Sequence, residues 1–245
     1  MKLGKKKGVI RDPRTFQLEK YITDREAILS APPRLVKWTK GISSWNMFDN
    51  DTIGDCTCAT IGHMIHAQSA GEVEVQTEDV LKAYSDITGY DGTTETDTGA
   101  YTLDVLNYWR KTGVGGHKIH AFAEVPIKRA SIHLADWLFG GVYLGLLLPI
   151  SAQNQIGTEW KYSYEDYEWA TYPGSWGGHA VPIEADRYGI ETISWGAIQR
   201  MSWSFLYEYC DEAYAVISDA WLERRGKEGV PGFDLESLER DLANL

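Results

Sequence analysis

Apolar residues recur with two different periods along this chain, and the change of period divides it into two halves. In the first half they recur every three to four residues over three stretches, at 54–70, 77–87 and 103–109. This spacing is typical of amphipathic α-helices. Gly71 and Gly113 follow the first and third stretches, at positions where glycine commonly ends a helix. The pattern predicts a mainly helical first half.

Shorter apolar runs fill the second half. Residues 142–148 form an apolar run that ends at Pro149, which favours a buried strand. Three more short runs suit the strands of an antiparallel sheet, at 179–184, 189–195 and 213–217. Helices are predicted at 131–138, 202–208 and 233–245, the last with Asp234 as its N-cap. The fold class is therefore α+β, with a helical N-terminal lobe and an antiparallel-sheet C-terminal lobe.

The chain divides into a short arm and one larger domain. Residues 1–31 are charged and weakly periodic, and the prolines that follow at 32 and 33 favour an extended or turn conformation. We interpret residues 1–31 as an arm lying on the body. Residues 32–245 form the domain, with a helical lobe at about 32–125, a strand-rich lobe at about 126–220 and a C-terminal helix at about 233–245. At 245 residues and 43% hydrophobic content, the chain can bury its own core.

Charge is distributed unevenly between the arm and the body. The whole chain carries −11, but residues 1–14 hold six basic side chains and one acidic one, so the remainder carries −16. A body this acidic repels nucleic-acid phosphates and anionic lipid, which makes nucleic acid an unlikely partner. The basic arm suits either docking to a protein partner or simple solvation. No early apolar run forms a signal peptide, and none reaches the ~18 residues of a membrane span, so no membrane association is predicted.

One cysteine and one distant histidine point to chemistry. Cys56 opens the first predicted helix, where free backbone N–H groups and the helix dipole favour the thiolate. His179 opens a strand more than a hundred residues later, and a remote histidine of this kind is the usual partner of an intracellular cysteine nucleophile. Cys56 and Cys58 are too close in sequence for an unstrained disulfide, which suits a reducing compartment.

The segments around these two residues match, in order, segments of the papain-like cysteine peptidases. They are Pro32-Pro33-Arg34-Leu35-Val36-Lys37-Trp38, Gly54-Asp55-Cys56, Gly99-Ala100-Tyr101, Gly140-Gly141-Val142, Gly178-His179-Ala180-Val181 and Ser194-Trp195-Gly196. The chain thus resembles that family over about residues 32–217. It resembles still more nearly some uncharacterised phage and prophage proteins with similar Gly-Asp-Cys and Trp-Gly-Gly-His segments.

The resemblance implies a papain-like fold with a cleft between the lobes, and hydrolysis of a peptide or amide substrate without a cofactor. It implies Cys56 as the nucleophile and His179 as its partner. Asn50 lies where the family keeps a glutamine that helps to bind the oxyanion, and its amide can supply the same kind of donor. The substrate cleft is expected to be lined by Gly99, Ala100, Tyr101 and Gly178.

The chain departs from the family pattern beside the histidine. Ile193 occupies the position of the asparagine that orients the imidazole, and isoleucine cannot hydrogen-bond to it. Trp195, Ser194 and Asp186 are candidates to orient or shield the ring instead, although strand alternation directs Ser194 away from the face of its two neighbours. Asp55, next to the nucleophile, opposes thiolate formation unless it caps the helix.

Other interpretations compete with catalysis. Cys56, Cys58, His63 and His66 resemble a zinc set in composition, but consecutive helical positions point ~100° apart and do not converge on one ion, so we predict no metal. The aromatic residues at 160–176 suit a binding cleft and a packed loop equally. Two hypotheses remain: a cysteine peptidase or amide hydrolase, or a weak or inactive papain-like scaffold with a structural or docking role. The expected location is the cytoplasm or a phage virion.

Overall fold

The structure is a computed structural model that describes residues 5–24, 37–164, 168–185, 189–219, 221–222 and 232–244. Its α-helices are α1 (Cys56–Gln68), α2 (Thr77–Thr88), α3 (Thr102–Lys111), α4 (Arg129–Phe139), α5 (Glu168–Thr171), α6 (Trp203–Tyr209) and α7 (Leu235–Ala243). Short 3-10 helices span Leu18–Tyr21 and Ile150–Gln155. Within the described ranges, no helix is both long enough and apolar enough to cross a bilayer.

The strands join into one sheet. They are β1 (Phe16–Gln17), β2 (Ile119–Glu124), β3 (Val142–Leu148), β4 (Glu159–Trp160), β5 (Gly177–Ala185), β6 (Ile190–Ser194), β7 (Ala197–Met201) and β8 (Cys210–Ser218). Across the residues that the structure describes, the order is β1-β2-β8-β3-β5-β6-β7-β4. The inner pairs are antiparallel, while β1 with β2 and β4 with β7 are parallel, so the sheet is mixed.

Side chains of β3 show how the sheet serves two cores. Val142 and Leu144 belong to the core that also contains residues of α4 and α6. Tyr143 points to the opposite face, into the core shared with helices α1, α2 and α3. Both faces of the strand are therefore covered, which explains why its sequence is apolar without alternation.

Helix α1 lies between the sheet and the other helices of the first half. Nearly every one of its residues is buried, including Cys58 and Ile61, and a helix that is buried all round needs no polar stripe. The hydroxyl of Tyr143 donates to the backbone oxygen of Thr57 over 2.8 Å, which attaches the first turn of α1 to β3. The sheet therefore determines where the start of this helix, and hence Cys56, lies.

Most of the sequence predictions for the fold are confirmed. The structure is α+β, the strand at 142–148 has the predicted bounds, and Asp234 caps α7 by accepting a hydrogen bond from Ser237 N over 2.9 Å. Strands β1, β2, β4 and β7 were not predicted, and two parallel edge pairs accompany the predicted antiparallel pairing. These edge pairs join segments that are far apart in the chain, so no local pattern announces them.

The described part of the basic arm lies against the body. Gln17 pairs with Glu124 of β2, and Tyr21 donates to Asp241 of α7 over 2.8 Å. Upstream, residues 5–7 run across the face of the molecule where helix α1 begins. The prolines at 32 and 33 lie outside the described residues.

Candidate active site

Cys56 and His179 come from different halves of the chain and meet at one place. Cys56 is the first residue of α1, and His179 is the third residue of β5. Cys56 packs in the same hydrophobic core as Ala180, the residue after His179. Both side chains are buried, each with 1% of its surface exposed. The fold thus places the thiol directly against the strand that carries the histidine.

The imidazole of His179 is held by the two residues that follow Ile193. Its Nε2 lies 2.9 Å from Ser194 Oγ, and its ring stacks on Trp195 with centroids 4.6 Å apart and planes 13° apart. Within the described part of the chain, Nδ1 has no hydrogen-bond partner. The ring is therefore anchored at one nitrogen and leaves the other unoccupied, as a base that exchanges a proton with a thiol requires.

The expectation that strand alternation points Ser194 away from Trp195 is wrong, because both side chains contact the His179 ring. Alternation holds only while the backbone stays extended, but β6 ends at Ser194 and Trp195 has a φ of 49°. Gly196, with a φ of 68°, completes the tight turn into β7. The turn brings the tryptophan ring back over His179, next to the serine hydroxyl.

Ile193 is buried in β6 opposite Ile198 of β7. Its neighbour Ser194, and not Ile193, hydrogen-bonds to the imidazole of His179. Asp186, the other orienting candidate, lies outside the described residues.

The aromatic loop provides both packing and surface. Trp160 and Trp176 contact Trp195, with ring centroids 6.3 and 5.6 Å away, and so support the ring that covers His179. Trp169 and Tyr172 of the same loop are exposed. Trp160 and Trp176 of the loop therefore stabilise the position of Trp195 on His179, while other residues of the loop form surface.

Asn50 lies in the tight loop before α1. Its Nδ2 donates to Asp55 Oδ1 over 2.8 Å and to Ile53 O over 3.5 Å. The amide thus serves the loop itself, and an oxyanion role for Asn50 stays a prediction.

Asp55 is fully buried and makes no side-chain capping bond to α1. Burial raises the pKa of its carboxyl to about 8, against hydrogen bonds from Asn50 and its own backbone that lower it. Near neutral pH the protonated carboxyl is favoured, which lessens the repulsion of a thiolate at Cys56.

Asp55 should make folding stability depend on pH. A carboxyl whose folded pKa is raised stabilises the folded state fully below its unfolded pKa of about 4, and this contribution is lost as pH rises to about 8. We expect the free energy of unfolding to fall by roughly 3 kcal/mol or more across that window, relative to Asp55→Asn. Urea unfolding of both chains at several pH values measures this. If the free energy of unfolding depends on pH in the same way in the wild type and in Asp55→Asn, the pKa of Asp55 is not raised by folding.

Residues 5–7 occupy the cleft that the sequence predicts for the substrate. Their backbone N–H groups donate, in order, to the carbonyl oxygens of Gly54 (3.3 Å), Gly178 (3.2 Å) and Ala100 (2.9 Å). The ammonium of Lys7 lies 5.2 Å from the centre of the Tyr101 ring, a cation–π contact. The chain's own backbone therefore bonds to the walls that would otherwise receive a peptide.

Two glycines permit this close approach. A Cβ on Gly99 would lie 1.6 Å from the Lys5 carbonyl oxygen, and one on Gly178 would lie 2.0 Å from the Lys6 carbonyl oxygen. Both clashes are with backbone atoms, which cannot rotate away. Gly99 also has a φ of 76°, but Gly178 does not have a left-handed backbone, so its lack of a side chain matters only for space.

Burial favours the neutral forms of both members of the candidate pair. Desolvation raises the pKa of the Cys56 thiol to about 12, although hydrogen bonding with the backbone of Ala180 and Lys6 acts in the opposite direction. Desolvation also lowers the pKa of His179 to about 3. The thiol and the neutral imidazole are thus favoured over the reactive thiolate and imidazolium.

The residues that hold this segment in place are not predicted by the sequence. Lys6 Nζ lies 3.0 Å from Asp211 Oδ2 and 3.0 Å from Glu212 Oε1. The sequence shows a run of three lysines at 5–7 in an acidic chain and two adjacent acidic residues, Asp211 and Glu212, near the start of β8. Nothing in the sequence indicates that these two segments meet.

Several solved structures of cysteine proteases are similar to this chain. One is xylellain, a cysteine protease from Xylella fastidiosa, with a TM-score of 0.66 and 14% identity over 87% of this chain and 95% of that one. Another is procathepsin B S9 from Trypanosoma congolense, with a TM-score of 0.54 and 8% identity over 88% and 86%. A third contains the cysteine protease and lectin-like domains of Cwp84, a surface layer associated protein of Clostridium difficile, with a TM-score of 0.51 and 11% identity over 85% and 52%.

No protein-family model and no curated protein sequence matches the chain. The similarity therefore concerns the fold, which is papain-like, as the sequence predicted.

Proposed function

We propose that this protein is a thiol-dependent peptidase or amide hydrolase that acts through Cys56 and His179. The observation that carries the proposal is that a helix-terminal thiol packs against the strand of a histidine whose Nε2 is bonded to Ser194. The papain-like fold supports it, because the similar solved structures are of cysteine proteases. Those proteins suggest peptides as the substrate class.

Each group then has a defined part in the reaction. His179 takes the proton of Cys56, and the thiolate attacks the substrate carbonyl to form a tetrahedral intermediate. The Cys56 backbone N–H, at the start of α1, is placed to bind the oxyanion, with Asn50 as a second candidate donor. The imidazolium gives its proton to the leaving amine, and water then releases the acyl group from sulfur. Ser194 and Trp195 position the ring throughout these steps.

The structure describes a closed form of this site. Residues 5–7 hydrogen-bond to both walls of the cleft, and the side chains of Cys56 and His179 are buried. A substrate cannot reach Cys56 until this segment moves. We therefore expect the intact chain to be latent and its activity to depend on displacement of residues 5–7.

The second candidate function is a catalytically silent scaffold. The observation in its favour is the same filled cleft, in which the pKa values of both Cys56 and His179 are shifted toward the uncharged forms. The resemblance to phage proteins, a place in a phage virion and docking of a protein partner through residues 1–31 all stay predictions from the sequence.

Selective alkylation of the cysteines separates the two functions. The chain has three cysteines, and Cys58 and Cys210 serve as internal controls because burial raises their pKa values as well. Once residues 5–7 are displaced, we expect iodoacetamide to modify Cys56 at least about tenfold faster than Cys58, because Cys56 begins α1 beside the strand of His179 whereas Cys58 stays buried in the helix. Peptide mapping by mass spectrometry gives the rates. Equal protection of Cys56 and Cys58, in the intact chain and after the cleft is opened, would support the scaffold.

A further inference from the structure

The side chain of Lys6 is buried between two carboxylates in the cleft. It has no exposed surface, and its ammonium lies 3.0 Å from both Asp211 and Glu212. A third contact joins it to the backbone oxygen of Lys7 over 2.9 Å. The ammonium thus donates hydrogen bonds to Asp211 and to the Lys7 backbone and forms an ion pair with Glu212.

A glycine in the central strand makes room for this side chain. A Cβ on Gly145 would lie 2.4 Å from Lys6 Cε and 2.5 Å from Glu212 Cγ. Gly145 does not have a left-handed backbone, so local conformation does not require glycine there. It also interrupts an otherwise large and apolar strand. The space that it leaves is filled by the lysine side chain and the carboxylate that binds it.

The pocket carries more negative charge than Lys6 neutralises. Glu212 is buried and also accepts a hydrogen bond from the Tyr214 hydroxyl over 3.1 Å, while Asp211 is mostly buried. Burial alone lowers the pKa of Lys6, but the attraction of Glu212 and Asp211 outweighs it and raises that pKa. If Lys6 leaves, two carboxylates remain in a largely dry pocket, which is costly without a cation.

The pocket lies beside the candidate nucleophile. The backbone N–H of Lys6 donates to the carbonyl oxygen of Gly178, the residue before His179, and that of Lys5 donates to the carbonyl oxygen of Gly54, two residues before Cys56. A ligand that places an ammonium between the carboxylates therefore has its own backbone next to Cys56.

We propose that Gly145, Asp211 and Glu212 form a binding pocket for a lysine side chain, and that the substrates of this site are peptides with a lysine in the place that Lys6 occupies here. The substrate part rests on the proposed function, whereas the pocket itself does not. Lys6 thus closes the site by occupying the pocket that would select a substrate.

Chemical rescue tests the pocket without relying on activity. Lys6→Ala removes the alkyl-ammonium and leaves a space that n-propylammonium matches. We expect this cation to raise the Tm of the full-length Lys6→Ala chain by about 3 °C or more at saturating concentration. The neutral 1-propanol and the bulky tetramethylammonium ion, at equal concentration, should not. Lys7→Ala, which removes an equal charge from the next residue, should show no propylammonium effect.

Glu212→Gln added to Lys6→Ala should abolish the stabilisation by propylammonium. Stabilisation by 1-propanol to the same degree, or persistence of the effect in the double variant, would overturn the lysine pocket.

A double-mutant cycle covers the case in which Lys6→Ala does not fold. Lys6→Met retains the length of the side chain but strands both carboxylates. Glu212→Gln should lower the Tm of the wild type, where it removes a partner of Lys6, and raise the Tm of Lys6→Met, where it removes an unpaired charge. Shifts of the same sign in both chains would overturn the proposal.

Peptide hydrolysis links the pocket to the site. For matched peptides that contain lysine or its uncharged analogue norleucine, we expect kcat/KM to favour lysine at least about tenfold, and Glu212→Gln to reduce this ratio. Hydrolysis without a lysine preference and without amine rescue would refute the pocket and retain the peptidase. Amine rescue in a chain with unreactive Cys56 would retain the pocket and refute the peptidase.

Discussion

Gly178→Ala should expel residues 5–7 from the cleft and activate Cys56. The added methyl group would stand 2.0 Å from the Lys6 carbonyl oxygen, and a backbone atom so placed can avoid it only if the segment leaves. Water then reaches the site, and the pKa of the Cys56 thiol falls from about 12 toward its usual ~8.5. A fall of about three pKa units raises the thiolate population about a thousandfold. A thiolate of lower pKa is also less nucleophilic, and this offsets roughly half of the gain in the logarithm of the rate. We expect alkylation at least about thirtyfold faster.

The measurement is the iodoacetamide rate at Cys56 in the full chain at pH 7.5. Gly8→Ala is the control, because it makes the same glycine-to-alanine change within the arm itself, where a Cβ meets nothing within 4 Å. Its rate should equal that of the wild type. Equal rates in Gly178→Ala and Gly8→Ala would show that the segment does not control access to the thiol.

His179→Ala, introduced into the opened Gly178→Ala chain, should remove most of the reactivity at acidic pH. Once hydrated, His179 can hold a proton and stabilise the Cys56 thiolate as an ion pair, and histidine-paired thiols ionise several pH units below free ones. Without the imidazole, a thiol with a pKa of about 8.5 is almost wholly protonated at pH 6. We expect the alkylation rate at pH 6 to fall roughly a hundredfold, while at pH 9 it changes little.

The pH profile, rather than a single rate, is the decisive measurement. Ser194→Ala should give an intermediate profile, because it retains the imidazole and removes the hydrogen bond at Nε2. Ser204→Ala is its control, since Ser204 is exposed on α6 and bonds only to Ser202 among the contacts described. If the alkylation rate of the His179→Ala chain depends on pH in the same way as that of its Gly178→Ala parent, a thiolate–imidazolium pair is excluded and the scaffold is favoured.

The local pattern of the sequence determined most of the fold. Apolar spacing predicted α1, α2, α3 and β3, because helix and strand periods are properties of a few neighbouring residues. The motifs around Cys56 and His179 also predicted a papain-like arrangement, which the similar solved structures share. Strand β2 is one of the strands that were missed, because its pairing with β8 depends on a segment about ninety residues away.

The candidate pair could be named from the sequence, but its state could not. The turn at Trp195, with a φ of 49°, decided that Ser194 and not residue 193 would hold the imidazole. Alternation predicts side-chain direction only within an extended strand, and a single left-handed residue reverses it.

Only the tertiary structure decided how the site is closed. The lysines at 5–7 read as a solvated basic arm, yet Lys6 lies against Asp211 and Glu212, more than two hundred residues away. Cys56 and His179 are buried only in the assembled fold, and this burial shifts the pKa values of both groups. Desolvation depends on every atom around a group, so it is a property of the assembled fold and has no signature in a stretch of sequence.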